Sequence, residues 1–262
     1  MTFSFDLISD LHVETWNSFD WTDQATSPYC VVAGDVSRDR QRVIDTLRHL
    51  GRCYAGVFYI DGNDEHRHYL EDLGESYKSL TRELSDLENV VYLQDNVVIV
   101  NGVAFLATNG WWCYDFDKDL DRDQSLEWYR DRVQVSRSAA ESITGVAYHD
   151  AAYLINSVHR LQKHQDVKAI IMISHTLPAP RLIDHDPDLV DTWRFNSMGN
   201  QYLDGALDED TGNKIKAWCF GHYHKLVDRD FRGIRYVSNP RGRGQTEWSQ
   251  SAYYPKRITI DF

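Results

Sequence analysis

The segment FSFDLISDLH at residues 3–12 joins a strand pattern to two residue types that bind metal ions. Its apolar positions predict a β-strand over Phe3–Ser9, and Asp10 and His12 follow that strand directly. Side chains two residues apart on extended backbone project to the same side. We therefore expect Asp10 and His12 to share one site at the end of the first strand.

Four more predicted strands are followed in the same way by acidic, amide or imidazole side chains. These strand ends are YCVVA before Gly34-Asp35, GVFYI shortly before Gly62-Asn63-Asp64-Glu65, AIIMIS before His175, and IKAWCF before Gly221-His222-Tyr223-His224. Loops at one edge of a sheet lie close together, and α/β proteins build their binding sites there. The pattern predicts that donor groups from five separate stretches meet at one rim.

The rest of the chain alternates helical and strand patterns. Helices are predicted over Gln41–Cys53, Arg67–Leu87 and Val146–Lys163, a hairpin over Val97–Val100 and Val103–Thr108, and further strands over Val90–Leu93, Lys225–Phe231, Ile234–Ser238 and Arg257–Asp261. We predict a single α/β domain over residues 1–262 with mixed sheets. The long irregular segment 176–213, which includes His185, is expected to be a cap or specificity loop.

Composition and charge exclude several classes of protein. The chain has 40 acidic and 28 basic residues, and the formal net charge of −12 disfavours non-specific binding to a nucleic-acid backbone. The four cysteines form no C-x-x-C pair and are expected to be reduced. No apolar run is long enough to span a membrane, and the first residues lack a signal-peptide pattern. The expected location is the cytoplasm, and the sequence leaves the oligomeric state open.

The donor groups at the strand ends are those that bind transition metals. A mixture of carboxylate, amide and imidazole suits Mn, Fe, Zn or Ni better than it suits calcium. Seven such groups exceed the needs of one tetrahedral ion, and they suit two divalent ions that share a bridging carboxylate. Taken one at a time, the motifs also have ordinary structural explanations: Asp35 as a turn residue, Asn63 or Asp64 as a helix cap, and His175 as a packed histidine.

Taken in order, the motifs resemble the signature of the calcineurin-like metallophosphoesterase superfamily. That signature is D-x-H, G-D, G-N-H-[DE], H and G-H-x-H, and the corresponding blocks here run from residue 10 to residue 224. The resemblance implies a four-layer α-β-β-α sandwich with two mixed β-sheets and the site at one rim. It also implies a metal-dependent hydrolase of phosphate esters.

The resemblance assigns a role to each motif. It implies that Asp10, His12 and His224 bind one ion, that Asn63, His175 and His222 bind a second, and that Asp35 binds both. A hydroxide bridging the two ions would attack phosphorus, while the cations hold the phosphate oxygens and lower the pKa of the attacking water. Asp35, Asn63, Asp64 and His175 are the predicted catalytic residues, and Asn63 would also contact the substrate.

Asp64 departs from the family pattern, which has a histidine near the leaving group at this position. An exposed Asp with a pKa of about 3.9 is an anion at pH 7 and would repel a phosphate dianion more than a singly charged diester. We therefore expect a preference for phosphodiesters. A phosphomonoesterase, and a scaffold that keeps the fold without catalysis, are the alternatives. His66 is a second candidate for contact with the leaving group.

Weaker signals suggest what else surrounds the substrate, which we expect to be a small phosphate ester, with a nucleotide among the candidates. Arg241 follows an Asn-Pro pair that is common in the family, and it is expected to contact substrate phosphate. Trp111 and Trp112 follow a strand, where they would either line the cleft and stack on a ring or stay in the core. Arg38 does not fall at the arginine position of the family motif and receives no role.

Overall fold

A computed structural model describes residues 2–184, 192–244 and 252–262 of the chain. Eleven strands lie within these residues, at the positions that follow. They are β1 Thr2–Ile8, β2 Tyr29–Ala33, β3 Gly56–Ile60, β4 Val90–Tyr92, β5 Asn96–Val100, β6 Val103–Thr108, β7 Ala169–Ser174, β8 Ile215–Phe220, β9 Val227–Phe231, β10 Ile234–Ser238 and β11 Lys256–Asp261. Every predicted strand is therefore present, with small differences at the ends.

The strands form two mixed sheets, as predicted. The first sheet has the order β11-β1-β2-β3-β4, in which β1 to β4 are parallel and β11 is antiparallel to β1. The second sheet has the order β5-β6-β7-β8-β10-β9, in which the edge strands β5 and β9 are antiparallel to their neighbours. The parallel strands of each sheet bring their carboxyl ends to one edge, where α/β proteins bind ligands.

Four α-helices lie within the described residues: α1 Arg40–Cys53, α2 Leu73–Leu84, α3 Arg122–Val133 and α4 Arg137–Lys163. The predicted helix Arg67–Leu87 is shorter at both ends, and Asp72 caps its start by accepting the backbone N–H of Glu75 at 3.0 Å. α4 starts earlier than predicted, because Ser136 caps it at Arg137. Sequence patterns do not predict α3. No helix in the described residues is long and apolar enough to cross a membrane.

Apolar side chains fill the three spaces between the layers. Between the sheets, Phe58 of β3 packs on Phe105 of β6 with ring centroids 4.3 Å apart, and Ile171 lies in the same cluster. Leu47 of α1 and Leu80 of α2 cover the outer face of the first sheet. α4 covers the outer face of the second sheet in the same way. This order of layers confirms the predicted α-β-β-α sandwich.

The described part of segment 176–213 is packed onto the second sheet and α4. Leu177, Phe195, Met198 and Leu203 are buried in the apolar cluster that α4 forms with this sheet. Residues 185–191 of the predicted cap, including His185, lie outside the described residues. The role of this segment as a cap or specificity loop stays a prediction.

Candidate metal centre

The predicted ligands lie at the rim where the carboxyl ends of the two sheets meet. The first sheet contributes the loops after β1, β2 and β3, and the second contributes the loops after β7 and β8. The seven side chains in these loops are Asp10, His12, Asp35, Asn63, His175, His222 and His224. The structure thus brings together residues that are up to 214 positions apart in sequence.

One group of donor atoms is formed by Asp10, His12, Asp35 and His224, whose ligand atoms all lie within 4.8 Å of one another. His12 Nε2 is 3.0 Å from His224 Nε2 and 3.8 Å from Asp35 Oδ2. His224 Nε2 is also 3.4 Å from Asp10 Oδ1. Two carboxylates and two imidazoles therefore converge on a space the size of one cation.

A second group shares Asp35 with the first and adds His175 and His222, again with ligand atoms within 4.8 Å of one another. His175 Nε2 is 3.4 Å from Asp35 Oδ1 and 3.3 Å from His222 Nδ1. The amide oxygen of Asn63 lies 3.2 Å from His175 Nε2. Asp35 is therefore placed between two groups of donors, each with the chemistry of a metal site.

Hydrogen bonds on the outer side of the rings fix which imidazole nitrogen faces the cluster. His175 Nδ1 donates to the carbonyl oxygen of Ala33 at 3.0 Å, so Nε2 is the nitrogen that faces Asp35. His222 Nε2 donates to the carbonyl oxygen of Ser197 at 3.0 Å, which leaves Nδ1 facing inward. Partners of this kind orient histidine ligands in metal sites. The inward lone pairs fit the binding of divalent cations.

The ligand loops use an unusual backbone conformation. Asp10, His12, Asp35, His222 and His224 all have φ between 40° and 67°, in the left-handed region. The expectation that Asp10 and His12 lie on extended backbone is therefore wrong, although their side chains do share a site. Such conformations cluster at functional sites, where the surrounding structure holds them in place.

The glycine of each G-D, G-N and G-H motif lies against a candidate ligand from another motif. A Cβ atom on Gly34 would overlap the His175 ring, and one on Gly62 would overlap the Asp35 carboxylate. A Cβ atom on Gly221 would lie 2.6 Å from Asp10 Oδ2. These glycines are needed because the loops pack backbone directly against ligand side chains.

Charges within the cluster shift the ionisation of its members. Burial lowers the pKa of His175, but the charge of Asp35 and the hydrogen bond to it outweigh burial and raise that pKa to about 10. Burial and the neighbouring His175 lower the pKa of His222 to about 3, so His222 is neutral. Burial raises the pKa of Asp35, but His175 reverses this and lowers it overall. Metal binding at such a cluster replaces protons on its ligands.

Asp64 is not exposed, which corrects the sequence-based premise. Its side chain is 2% exposed and accepts a hydrogen bond from Arg38 Nε at 2.9 Å and another from Arg243. His12 Nδ1 lies 3.4 Å from the same carboxylate oxygen, Oδ2. Burial raises the pKa of Asp64, but His12, Arg243 and Arg38 lower it well below its usual value. Asp64 is therefore a buried anion held by two arginines, and it lies beside the His12 ring.

His66 does not point to the site, contrary to the second suggestion for a leaving-group contact. It is fully buried, with Nε2 2.7 Å from Asp61 Oδ2 and Nδ1 2.8 Å from Ser76 Oγ. Glu65, to which the sequence assigned no role, is also buried. Its carboxylate accepts the backbone N–H groups of Val36 at 2.6 Å and Gly62 at 2.8 Å. It thereby ties the loop after β2 to the loop after β3.

Arg241 is not brought to the donor cluster. Its guanidinium carbon lies 4.1 Å from the centre of the Trp16 ring, and its backbone N–H donates to Ser9 at 3.0 Å. Trp112 does lie at the site, where it stacks on His222 with ring centroids 5.5 Å apart, whereas Trp111 is buried and donates to Tyr77. Substrate contact by Arg241 stays a prediction that its position does not favour.

A cavity of about 500 Å³ opens onto the cluster, and Asn63 and His222 form part of its wall. Five arginines line it together with aromatic side chains, and they are Arg38, Arg67, Arg132, Arg194 and Arg243. Sequence reasoning missed this lining, because the arginines come from five separate segments without a shared motif. Two of the five had a sequence signal: Arg38 is close to Asp35, and Arg194 belongs to the segment 176–213 that is predicted to cap the site.

Comparison with solved structures identifies the fold. The chain superposes on the phosphopantetheinyl hydrolase of Mycobacterium tuberculosis with a TM-score of 0.69 and 17% identity, over 97% of this chain and 95% of that one. A putative 5′-nucleotidase from Staphylococcus aureus aligns with a TM-score of 0.53 and 16% identity, over 100% of this chain and 51% of that one. GAP50 of Plasmodium, described as the anchor in the inner membrane complex, aligns with a TM-score of 0.51 and 12% identity, over 98% and 81% of the two chains.

Neither a scan against protein-family models nor a search of curated proteins gave a match. The likeness in structure concerns the fold alone, and it agrees with the predicted α-β-β-α sandwich.

Proposed function

We propose that this chain is a phosphoesterase that depends on two divalent metal ions. The observation that supports this most directly is the position of Asp35, shared by two groups of carboxylate, amide and imidazole donors. Asp10, His12 and His224 would hold one ion, and Asn63, His175 and His222 the other, with Asp35 common to both. The mixed donor set suits Mn, Fe, Zn or Ni, without selecting one of them.

The residues around the cluster support hydrolysis of a phosphate group placed beside it. Bound cations would supply charge for the phosphate oxygens and lower the pKa of an attacking water. Asn63 and His222 line both the cluster and the cavity, so a phosphate in the cavity would contact the cluster at this point. Trp112 covers one face of His222 and limits the access of bulk water from that side. The substrate is proposed to be a small phosphate ester, for which the cavity has room.

Phosphodiesters are proposed as the preferred esters. Pairing with two arginines weakens the repulsion between Asp64 and a phosphate dianion, so the preference depends on protonation of the leaving group. Asp64 stays ionised and cannot protonate a leaving group. Monoester hydrolysis passes through a loose transition state that places much of the charge on the leaving oxygen, so it needs a proton donor more. Asp64 is thus proposed as a positioning residue.

The test uses chelator-treated protein, resupplied with Mn²⁺, Ni²⁺ or Zn²⁺ and assayed on bis(p-nitrophenyl) phosphate and p-nitrophenyl phosphate. We expect close to two bound ions by elemental analysis, and a higher kcat/KM for the diester. His175→Gln should lose metal and activity, whereas the matched control His164→Gln, at an exposed position after α4, should lose neither.

Each outcome decides a separate part of the proposal. Full activity in the His175 variant would exclude the second group of donors from catalysis. A clear preference for the monoester would end the diester assignment and favour a phosphomonoesterase. Stoichiometric metal without hydrolysis of any ester would favour a scaffold with the same fold.

A further inference from the structure

The wall of the cavity beside the cluster has a charge opposite to that of the whole chain. The chain has a formal net charge of −12, yet the described residues of the cavity wall include five arginines and a single carboxylate, that of Asp64. A concentration of one charge inside a cleft raises the local concentration of ligands of the opposite charge. The cavity is therefore suited to an anion, although the chain as a whole would repel one.

Ion pairs do not account for two of these arginines, Arg67 and Arg132. Asp64 is shared by Arg38 and Arg243. In the parts of the chain that the structure describes, no carboxylate lies within 4.0 Å of the guanidinium groups of Arg67 or Arg132. Burial and the charges of Arg38 and Arg243 lower the pKa of Arg67, and they outweigh the opposite effects of Tyr129 and Asp64. Holding these like charges together destabilises the protein unless a ligand neutralises them.

The arginines lie in the same cavity as two of the candidate metal ligands. They share the cavity with Asn63 and His222, which belong to the second donor group. A phosphate at that end of the cavity would leave the rest of its molecule facing the arginines. Trp128 and Tyr129 lie in the same wall and offer faces for a ring or base. The volume of about 500 Å³ is typical of sites for small molecules.

We infer that these arginines form a subsite for a second phosphate group of a small-molecule substrate. This inference rests on the proposed function, since the donor cluster holds the phosphate that is cleaved. Guanidinium groups bind phosphate oxygens with paired, charge-assisted hydrogen bonds, and two or more of them match a doubly charged group. The second phosphate either shares a bridging oxygen with the first, as in a pyrophosphate, or is attached elsewhere on the molecule.

Binding to metal-free protein tests the subsite without catalysis. Calorimetry in the presence of a chelator compares inorganic pyrophosphate with orthophosphate. We expect tighter binding of pyrophosphate, and a loss of about 10- to 100-fold in its affinity on Arg67→Gln or Arg132→Gln, as is usual for one charged hydrogen-bonding group. Arg52→Gln, at the exposed far end of α1, is the matched control and should leave affinity unchanged. Equal affinities for the two anions, or no binding of pyrophosphate, would overturn the subsite.

Kinetics with the metal-loaded enzyme then identifies the source of the second phosphate. The probes are diadenosine pyrophosphate, adenosine 3′,5′-bisphosphate and bis(p-nitrophenyl) phosphate, a diester with a single phosphate. Arg67→Gln should lower kcat/KM for one of the first two about 10- to 100-fold more than for the third. The probe that responds identifies a bridged or a distant second phosphate.

The failures of this inference and of the proposed function are distinguishable. If p-nitrophenyl esters are hydrolysed but the variants affect all substrates equally, the subsite is wrong and the phosphoesterase assignment stands. If no ester is hydrolysed with any metal, the proposed function fails. Efficient cleavage of a long oligonucleotide, with the same dependence on Arg67, would overturn the small-molecule assignment.

Discussion

Replacing Asp35 with Asn separates the charge of this side chain from its structural role. Asp35 has φ +52°, a conformation that Asn tolerates, and its Oδ1 accepts the backbone N–H of Asp64 at 2.9 Å. An amide oxygen can accept the same hydrogen bond, so the substitution removes the charge and little else. Loss of the attraction to His175 lowers the free energy of unfolding, whereas relief of the repulsion from Asp64 raises it. The metal-free variant should therefore be within about 1 kcal/mol of the wild type in its free energy of unfolding.

The effect on metal binding should be much larger, because Asp35 belongs to both donor groups. At a free metal concentration of about 100 times Kd, each bound ion stabilises the folded wild type by about 2.7 kcal/mol. For a chain of this size that corresponds to an increase in Tm of about 5–10 °C. Loss of even an outer partner of a metal ligand weakens binding about 10- to 100-fold. A 100-fold loss at Asp35 would reduce the stabilisation to about 0.4 kcal/mol and the increase in Tm to about 1 °C.

The assay is thermal unfolding of chelator-treated protein titrated with MnCl₂, followed by elemental analysis of the desalted samples. Asp95→Asn is the matched control, since Asp95 also has a positive φ, +51°, and also lies in a group of two carboxylates and a histidine. Its increase in Tm with metal should equal that of the wild type. If Asp35→Asn keeps most of the increase, Asp35 is not shared between the ions. If the metal-free Asp35→Asn variant is already unfolded, the role of Asp35 is structural.

Three other substitutions test separate features. Gly62→Ala should abolish metal-dependent stabilisation in the same titration, because its Cβ would overlap the Asp35 carboxylate. Gly145→Ala lies in α4 with no atom within 4 Å of its Cβ, and it should stabilise the protein to thermal unfolding by about 0.5–1 kcal/mol. Burial and Asp150 raise the pKa of Asp95 from 3.8 to about 6, so its ionisation removes stability as pH rises between these values. Asp95→Asn should therefore raise Tm at pH 8, by the equivalent of about 1 kcal/mol for this 36% exposed side chain, and change it little at pH 4.

The positions of the candidate ligands could be predicted because each follows an apolar run closely in the chain. His175 comes directly after β7, and Asp35 is separated from β2 only by Gly34. The end of a strand can be recognised from the local sequence. The parallel order of the strands then brings these ends to one edge of the sheet. The conformation of the loops was not predictable in this way, because the left-handed φ of Asp10 and His12 is set by packing against other loops.

What the sequence could not reveal depends on contacts between distant segments. Asp64 is paired with Arg38, 26 residues away, and with Arg243, 179 residues away, and neither pair leaves a pattern in the chain. Asp64 is therefore a buried anion beside His12 and not the exposed, repelling charge that the sequence suggests. The sequence pattern does not predict α3, because its few buried positions, such as Leu126 and Tyr129, do not form a continuous apolar face.

The two donor groups are each divided between the two sheets, and this division couples metal binding to the packing of the sandwich. Asp10 and Asp35 come from the first sheet, whereas His175 and His224 come from the second. Neither sheet alone has the donors for one complete group, so a cation can bind with full affinity only when the sheets are packed together. Since binding to the folded state alone adds directly to stability, cations at this rim would hold the sheets together at the edge where the apolar core ends.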